Sequence, residues 1–170
     1  MTNILGLTFL TQLDMFINMA MGQVISIPQV YPVYKREVMN NMFSPTAFYF
    51  GKLAVALITT FWYPFILTLC SIWWYGLPTM GFVGFVQWWA VLTMTAFAGT
   101  TYGITVGAVV PDPIAAQSVA ILGVILFNMG AGFFANAGTG ANWFVTFLSY
   151  ISPLNYGCEL MMRRVLEGRE

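Results

Sequence analysis

Histidine is absent from this chain of 170 residues, and charge of either sign is scarce, with six Lys and Arg against six Asp and Glu. The lack of histidine removes the commonest metal ligand and the side chain that most readily shuttles protons near neutral pH. A net charge of zero leaves no basic surface for nucleic acid, so neither a metalloenzyme nor a nucleic-acid partner is expected. The two cysteines, Cys70 and Cys158, are too few for a disulfide framework and read as free thiols. The chain has no Asn-x-Ser/Thr sequon, no repeat at solenoid spacing and no G-x-x-x-x-G-K-[ST] phosphate loop. Catalytic residues, bound cofactors and metal sites are therefore not expected within it.

Apolar side chains dominate instead. Hydrophobic residues make up 59% and charged residues 7%, against roughly 45–50% and 25% in soluble domains. No charge occurs over residues 53–111 or 113–158, and each gap exceeds the roughly 20 residues that one helix needs to cross a bilayer. The composition predicts an all-α, multi-pass integral membrane protein, forming one domain over residues 1–170. Whether the membrane is the plasma membrane or an internal one is not legible.

Four long membrane helices are expected, at about residues 3–27, 45–75, 82–109 and 115–135. The first lacks the basic start and small-residue cleavage site of a signal peptide and reads as retained. Thr11, Met15, Asn18 and Gly22 share one of its faces, with Asp14 beside them. Such a stripe suits either packing, with Gln12 and Asn18 hydrogen-bonding to neighbouring helices, or the wall of a transport cavity. In the second helix Pro64 removes one backbone hydrogen bond, and Trp73, Trp74 and Tyr75 mark a membrane boundary. Gly99, Gly103 and Gly107 form a smooth ridge on the third, suited to close helix packing. On the fourth, Gln117, Ile121, Ile125, Asn128 and Gly132 share a face.

Between the first two helices lies the main break in the apolar sequence. Residues 30–52 hold Lys35, Arg36 and Lys52, three of the six cations. Tyr34, Val38, Met39, Met42 and Phe43 recur at helical spacing, with Arg36, Glu37, Asn40 and Asn41 opposite, which predicts a short amphipathic helix along the membrane interface. Ser44 and Pro45 then supply an N-cap and first-turn proline for the next helix.

The order of residues in this elbow, Pro32-Val-Tyr-Lys-Arg-Glu37 followed by Ser44-Pro-Thr-Ala-Phe-Tyr-Phe-Gly-Lys52, resembles the first intracellular loop of ABC exporters of the G (White) subfamily and the related pleiotropic drug resistance type. There the pattern is roughly E-R-P-V-F-x-R-E and then Y-S-x-x-A-Y-x-x-x-K. Val30 and Tyr31 depart from it where the family has Glu-Arg. The resemblance continues through Gly130-Ala-Gly-Phe-Phe-Ala-Asn136 and through Trp143 to Glu159, similar to the family's W-x-x-x-Y-x-S-P-x-x-Y-x-x-E region. It implies a coupling role for Arg36, Glu37, Asn40 and Asn41 and an apolar plug at Phe133 and Phe134, while the polar faces of the first and fourth helices suggest a substrate cavity lined by Thr11, Met15, Asn18, Ile121, Ile125 and Asn128. It also implies a C-terminal re-entrant hairpin after the fourth helix. Arg163, Arg164 and Arg169 would then lie on the side opposite Lys35 and Arg36, against the usual charge bias. A fifth crossing through residues 143–156 would relieve that, but Pro153 interrupts too short a stretch, and the re-entrant form is preferred.

The expected function is the membrane half of an ATP-driven exporter of lipid, sterol or other hydrophobic substrates, paired as a homo- or heterodimer. Residues 28–52 and 110–114 would face the cytoplasm. ATP and Mg belong to a partner nucleotide-binding domain outside this chain, and the complete transporter would be an ATP-hydrolysing translocase. The sequence reads as a partial membrane domain lacking the family's first and last helices. The competing class is a small multi-span scaffold or channel that uses no ATP.

Overall fold

The computed structural model describes residues 2–75, 81–131 and 143–167. Every element among them is an α-helix: α1 (Thr2–Met39), α2 (Pro45–Tyr75), α3 (Phe82–Val109), α4 (Pro113–Gly130), α5 (Trp143–Ile151) and α6 (Pro153–Glu167). Among the described helices α2, α3 and α4 are long and apolar enough to cross a membrane. The 31 residues of α2, for instance, extend about 46 Å against a hydrocarbon core of about 30 Å. α1 is longer still, but it carries Gln12, Asp14 and Asn18 in one half and Lys35, Arg36 and Glu37 in the other, and its composition alone does not qualify it.

The first difference from the sequence reading lies in α1. A membrane helix ending near residue 27 and a separate amphipathic helix over 34–43 are replaced by a single helix of 38 residues that runs through Pro28 and Pro32. The two prolines are four residues apart, so their missing N–H donors fall one above the other on the same side of the helix. One seam is weakened while the remaining backbone ladder carries the helix onward, as membrane helices permit when neighbours pack around a proline. α2 likewise runs unbroken through the buried Pro64.

α1 is the central element, packed most extensively on α3 and also on α4 and α6. The glycine ridge explains the first of these contacts. A Cβ on Gly99 would come within 2.7 Å of the Phe16 carbonyl oxygen, and one on Gly103 would overlap the Ala20 backbone. Glycine at both positions lets the two backbones touch, which is the packing predicted for this spacing. Above and below the ridge, Met15 packs with Trp88, Leu92, Ala96 and Met161, and Val24 with Val106, Ala116 and Ala120. α2 packs mainly on α3 and meets α1 only sparsely. Thr60 and Thr100 join α2 to α3 through their hydroxyls, 3.0 Å apart.

The C-terminal pair is attached to the end of the molecule remote from the elbow. α5 packs on α4, where the fully buried Ser152 donates its hydroxyl to the Phe127 carbonyl at 2.8 Å. Pro153 begins α6, whose Leu154, Gly157, Cys158 and Met161 form an inward face at spacings of three and four residues. That face meets α1 near Phe9, Gln12 and Met15 and α3 near Trp88 and Leu92. Glu159 and Arg163 remain exposed on the outside of α6 and form an ion pair.

Candidate functional site

The elbow is built by two adjoining helix caps. At the end of α1, Met42 N–H donates to the Glu37 carbonyl at 3.1 Å and Asn41 N–H to the Val38 carbonyl at 3.0 Å. Asn41 takes a positive φ of 54°, and these bonds make the left-handed Schellman close of a helix, with asparagine where glycine is commoner. Three residues later Ser44 Oγ accepts from Ala47 N–H at 3.4 Å, with Pro45 in the first turn of α2, as the sequence suggests. The chain therefore turns from one long helix into the next within residues 40–44.

Aromatic packing holds the corner closed. The Phe48 ring lies 4.5 Å from that of Tyr34 and 6.1 Å from that of Phe43, centroid to centroid. Phe48 thus ties the last turns of α1 to the first turn of α2. Farther in, Lys52 donates from Nζ to Ser26 Oγ and spans the same two helices. On the outer edge Arg36, Asn40 and Asn41 are exposed, whereas Glu37 is half-buried. Met39 and Met42, on the apolar side of the expected interfacial helix, are 72% and 71% exposed, whereas Tyr34, Glu37 and Val38 are half-buried, Tyr34 against Phe48 of α2.

The residues expected to line a cavity occupy different environments. Thr11 and Met15 are buried inside the bundle, with Thr11 Oγ1 donating to the Leu7 carbonyl. Asn18 is exposed and donates to its own helix, to Asp14 Oδ1 at 2.8 Å and to the Asp14 carbonyl at 2.9 Å. Asn18 also borders a groove of about 250 Å³ between α1 and α2, with Gly22, Ser26, Lys52 and Thr59. On α4, Ile121 and Ile125 are exposed and Asn128 is half-buried, its Oδ1 covered without a hydrogen-bond partner among the described residues. No described contact brings Asn18 together with Ile121, Ile125 or Asn128. Phe133 and Phe134 lie outside the described residues.

Gln12 and Asn18 therefore divide between the two readings of the polar stripe. Gln12 is fully buried, accepting from Thr95 Oγ1 at 2.6 Å and donating to Met161 Sδ at 3.2 Å, so it joins α1 to both α3 and α6. Asn18 makes no such link. Sequence reasoning missed Ser26, Thr95 and Phe48 as partners across helices, because small hydroxyls and single aromatics carry no pattern of their own in an apolar helix. Among the described residues no group of three or more His, Cys, Asp or Glu could hold a metal ion.

The described helices long and apolar enough to cross a membrane make this a membrane protein by composition. Residues 1–165 match the family described as ABC-2 type transporter, and the chain belongs to that family. It is an integral, multi-pass membrane component of an ABC transporter, a kind of domain that works with nucleotide-binding domains. Protein white of Ceratitis capitata is 27% identical over 157 residues, and Protein white of Drosophila melanogaster is 26% identical over the same length. These alignments cover 92% of this chain, and the chain spans 23% of the length of either relative. The G (White) subfamily resemblance read from the elbow thus extends over nearly the whole sequence.

Proposed function

We propose that this chain supplies the membrane path of an ATP-driven exporter for lipid, sterol or other hydrophobic substrates, energised by a nucleotide-binding domain that holds ATP and Mg. Two such membrane domains, identical or related, pair around the path. α1 crosses the membrane with α2, α3 and α4, its buried polar groups facing protein rather than lipid. The hairpin of α5 and α6 is re-entrant: the packing of α6 near Gln12 and Trp88, remote from the elbow, supports a return to the side from which α5 enters. Asn18, Ile121 and Ile125 are the cavity residues left exposed on the protomer's surface, with Asn128 half-buried and Thr11 and Met15 inside the bundle. Phe133 and Phe134 remain the proposed plug.

The observation that carries this reading is the elbow. A corner locked by two caps and by Phe48 moves as a unit, and it presents Arg36, Asn40 and Asn41 outward with Glu37 at their edge. A partner domain bearing on that edge would tilt α1 and α2 together. An exposed charged contact contributes only up to about 1 kcal/mol to stability, so its loss should impair transmission more than folding. In a transporter completed with its nucleotide-binding domain and reconstituted in vesicles, Glu37→Ala should retain expression and basal ATP hydrolysis while transport and substrate-stimulated hydrolysis fall. Unchanged transport would end the coupling reading.

A further inference from the structure

Lys52 is the cation of an apolar cleft that lies beside the groove at Asn18. α1 and α2 diverge from the elbow with little contact, and α3 closes the space behind them. The resulting cavity of about 290 Å³ has Ile27 and Tyr31 of α1 on one wall, Tyr49 and Lys52 of α2 on the other, and Ile104 of α3 at its floor. That volume falls just below the roughly 300–1,000 Å³ of ligand pockets and suits part of an acyl chain rather than a large rigid solute.

The charge is what selects the occupant. The Lys52 ammonium has three donors, and one is directed at Ser26 Oγ. The only ion pair among the described residues is that of Arg163 with Glu159, so no described carboxylate neutralises Lys52. Its depth is equally specific. Lys52 follows Pro45 by seven residues, about 10 Å along the helix, and α2 overshoots the hydrocarbon core by about 8 Å at either end when centred. With α2 so centred the Lys52 backbone would lie about 2 Å inside the core, from which the ammonium reaches the headgroups by snorkelling, while the apolar cleft leads into the hydrocarbon layer.

We infer that this cleft binds an anionic phospholipid of the leaflet beside the elbow, its net negative headgroup on Lys52 and an acyl chain lying between α1 and α2 against Ile104. The test is photo-crosslinking of the purified chain in phosphatidylcholine vesicles doped with diazirine-labelled phosphatidylserine or, separately, diazirine-labelled phosphatidylcholine. Adducts are mapped by mass spectrometry to residues 23–34 and 45–53. Phosphatidylserine adducts should exceed phosphatidylcholine adducts about fivefold, the preference that one cation near a membrane surface confers. Lys52→Gln should bring the ratio to one, Lys52→Arg should keep it, and Lys35→Gln with Arg36→Gln should leave it unchanged. Ile104→Trp, which retains the cation but fills the floor, should remove adducts of both lipids from these segments. Excess glycerophosphoserine in the buffer should displace nothing. Equal labelling by the two lipids in the unaltered chain, a preference that survives Lys52→Gln, or displacement by the soluble headgroup would each overturn the proposal.

Discussion

Gln12 is fully buried in a helix that also carries Thr8 and Thr11 inside the bundle, and its amide is engaged at both ends. In an apolar medium an unpartnered amide is costly, so the Thr95 hydroxyl and Met161 sulfur fix where α1, α3 and α6 meet. The Thr95 hydroxyl has a second acceptor in the Val91 carbonyl at 3.1 Å, which limits the loss when Gln12 is removed. A double-mutant cycle with Gln12→Leu and Thr95→Val, read from unfolding in mixed micelles, should therefore give a coupling of about 0.6 kcal/mol and no more than about 2 kcal/mol. Asn41 presents the opposite case, where conformation rather than burial decides. Its φ of 54° costs a residue with a Cβ about 1–2 kcal/mol unless, like asparagine, it tolerates the left-handed region. Asn41→Gly should leave thermal stability unchanged or raise it, whereas Asn41→Val should lower it by about that amount.

At the scale of elements, the helices were legible where local signals agree. The expected bounds of 45–75 and 82–109 coincide with α2 and α3, because Ser44-Pro45 and the aromatic ends act within a turn of the boundary. α4 starts two residues before the expected 115, since Asp112 caps it by accepting from Ala115 N–H at 3.3 Å with Pro113 in the first turn. The expected end of the first helix near residue 27 is absent because α1 runs on through Pro28 and Pro32, and only the packing of neighbours tells a broken helix from a seamed one. The stripe Thr11, Met15, Asn18, Gly22 is straight, yet its first half is buried and its second half exposed. Met161 of α6 covers the level of Met15, a contact across nearly 150 residues that no local period encodes. The glycine ridge allows a sharper comparison. A Cβ at Gly103 would meet the Ala20 backbone, which cannot rotate away, while one at Gly51 of α2 would have no heavy atom within 4 Å. Gly103→Ala should destabilise the bundle by about 1–3 kcal/mol through overpacking. Gly51→Ala should be neutral or stabilising by up to about 1 kcal/mol through helix propensity. Thermal unfolding of both purified variants would separate a packing ridge from a mere run of small residues, since equal behaviour leaves the ridge no role.

At the scale of the whole molecule, the unsettled charge bias of the sequence becomes a question of which end of the bundle each element occupies. Nine residues of α5 extend about 14 Å, less than half of the hydrocarbon core, and α6 begins directly after Ser152. α6 then packs beside Gln12, which is 28 residues and about 42 Å along α1 from Asn40 in the elbow. Its Glu159–Arg163 pair is consequently held at the far end. Single cysteines at Asn40, Phe82, Ile114 and Arg163, in a chain carrying Cys70→Ser and Cys158→Ala, sample both ends on exposed positions. With α2, α3 and α4 each crossing once, an impermeant thiol reagent should label Asn40→Cys and Ile114→Cys from one side and Phe82→Cys from the other. The re-entrant hairpin adds that Arg163→Cys is labelled together with Phe82→Cys. Labelling of Arg163→Cys from the elbow side would mean that the C-terminal pair crosses, and labelling of Asn40→Cys and Phe82→Cys from the same side would overturn the arrangement of the whole bundle.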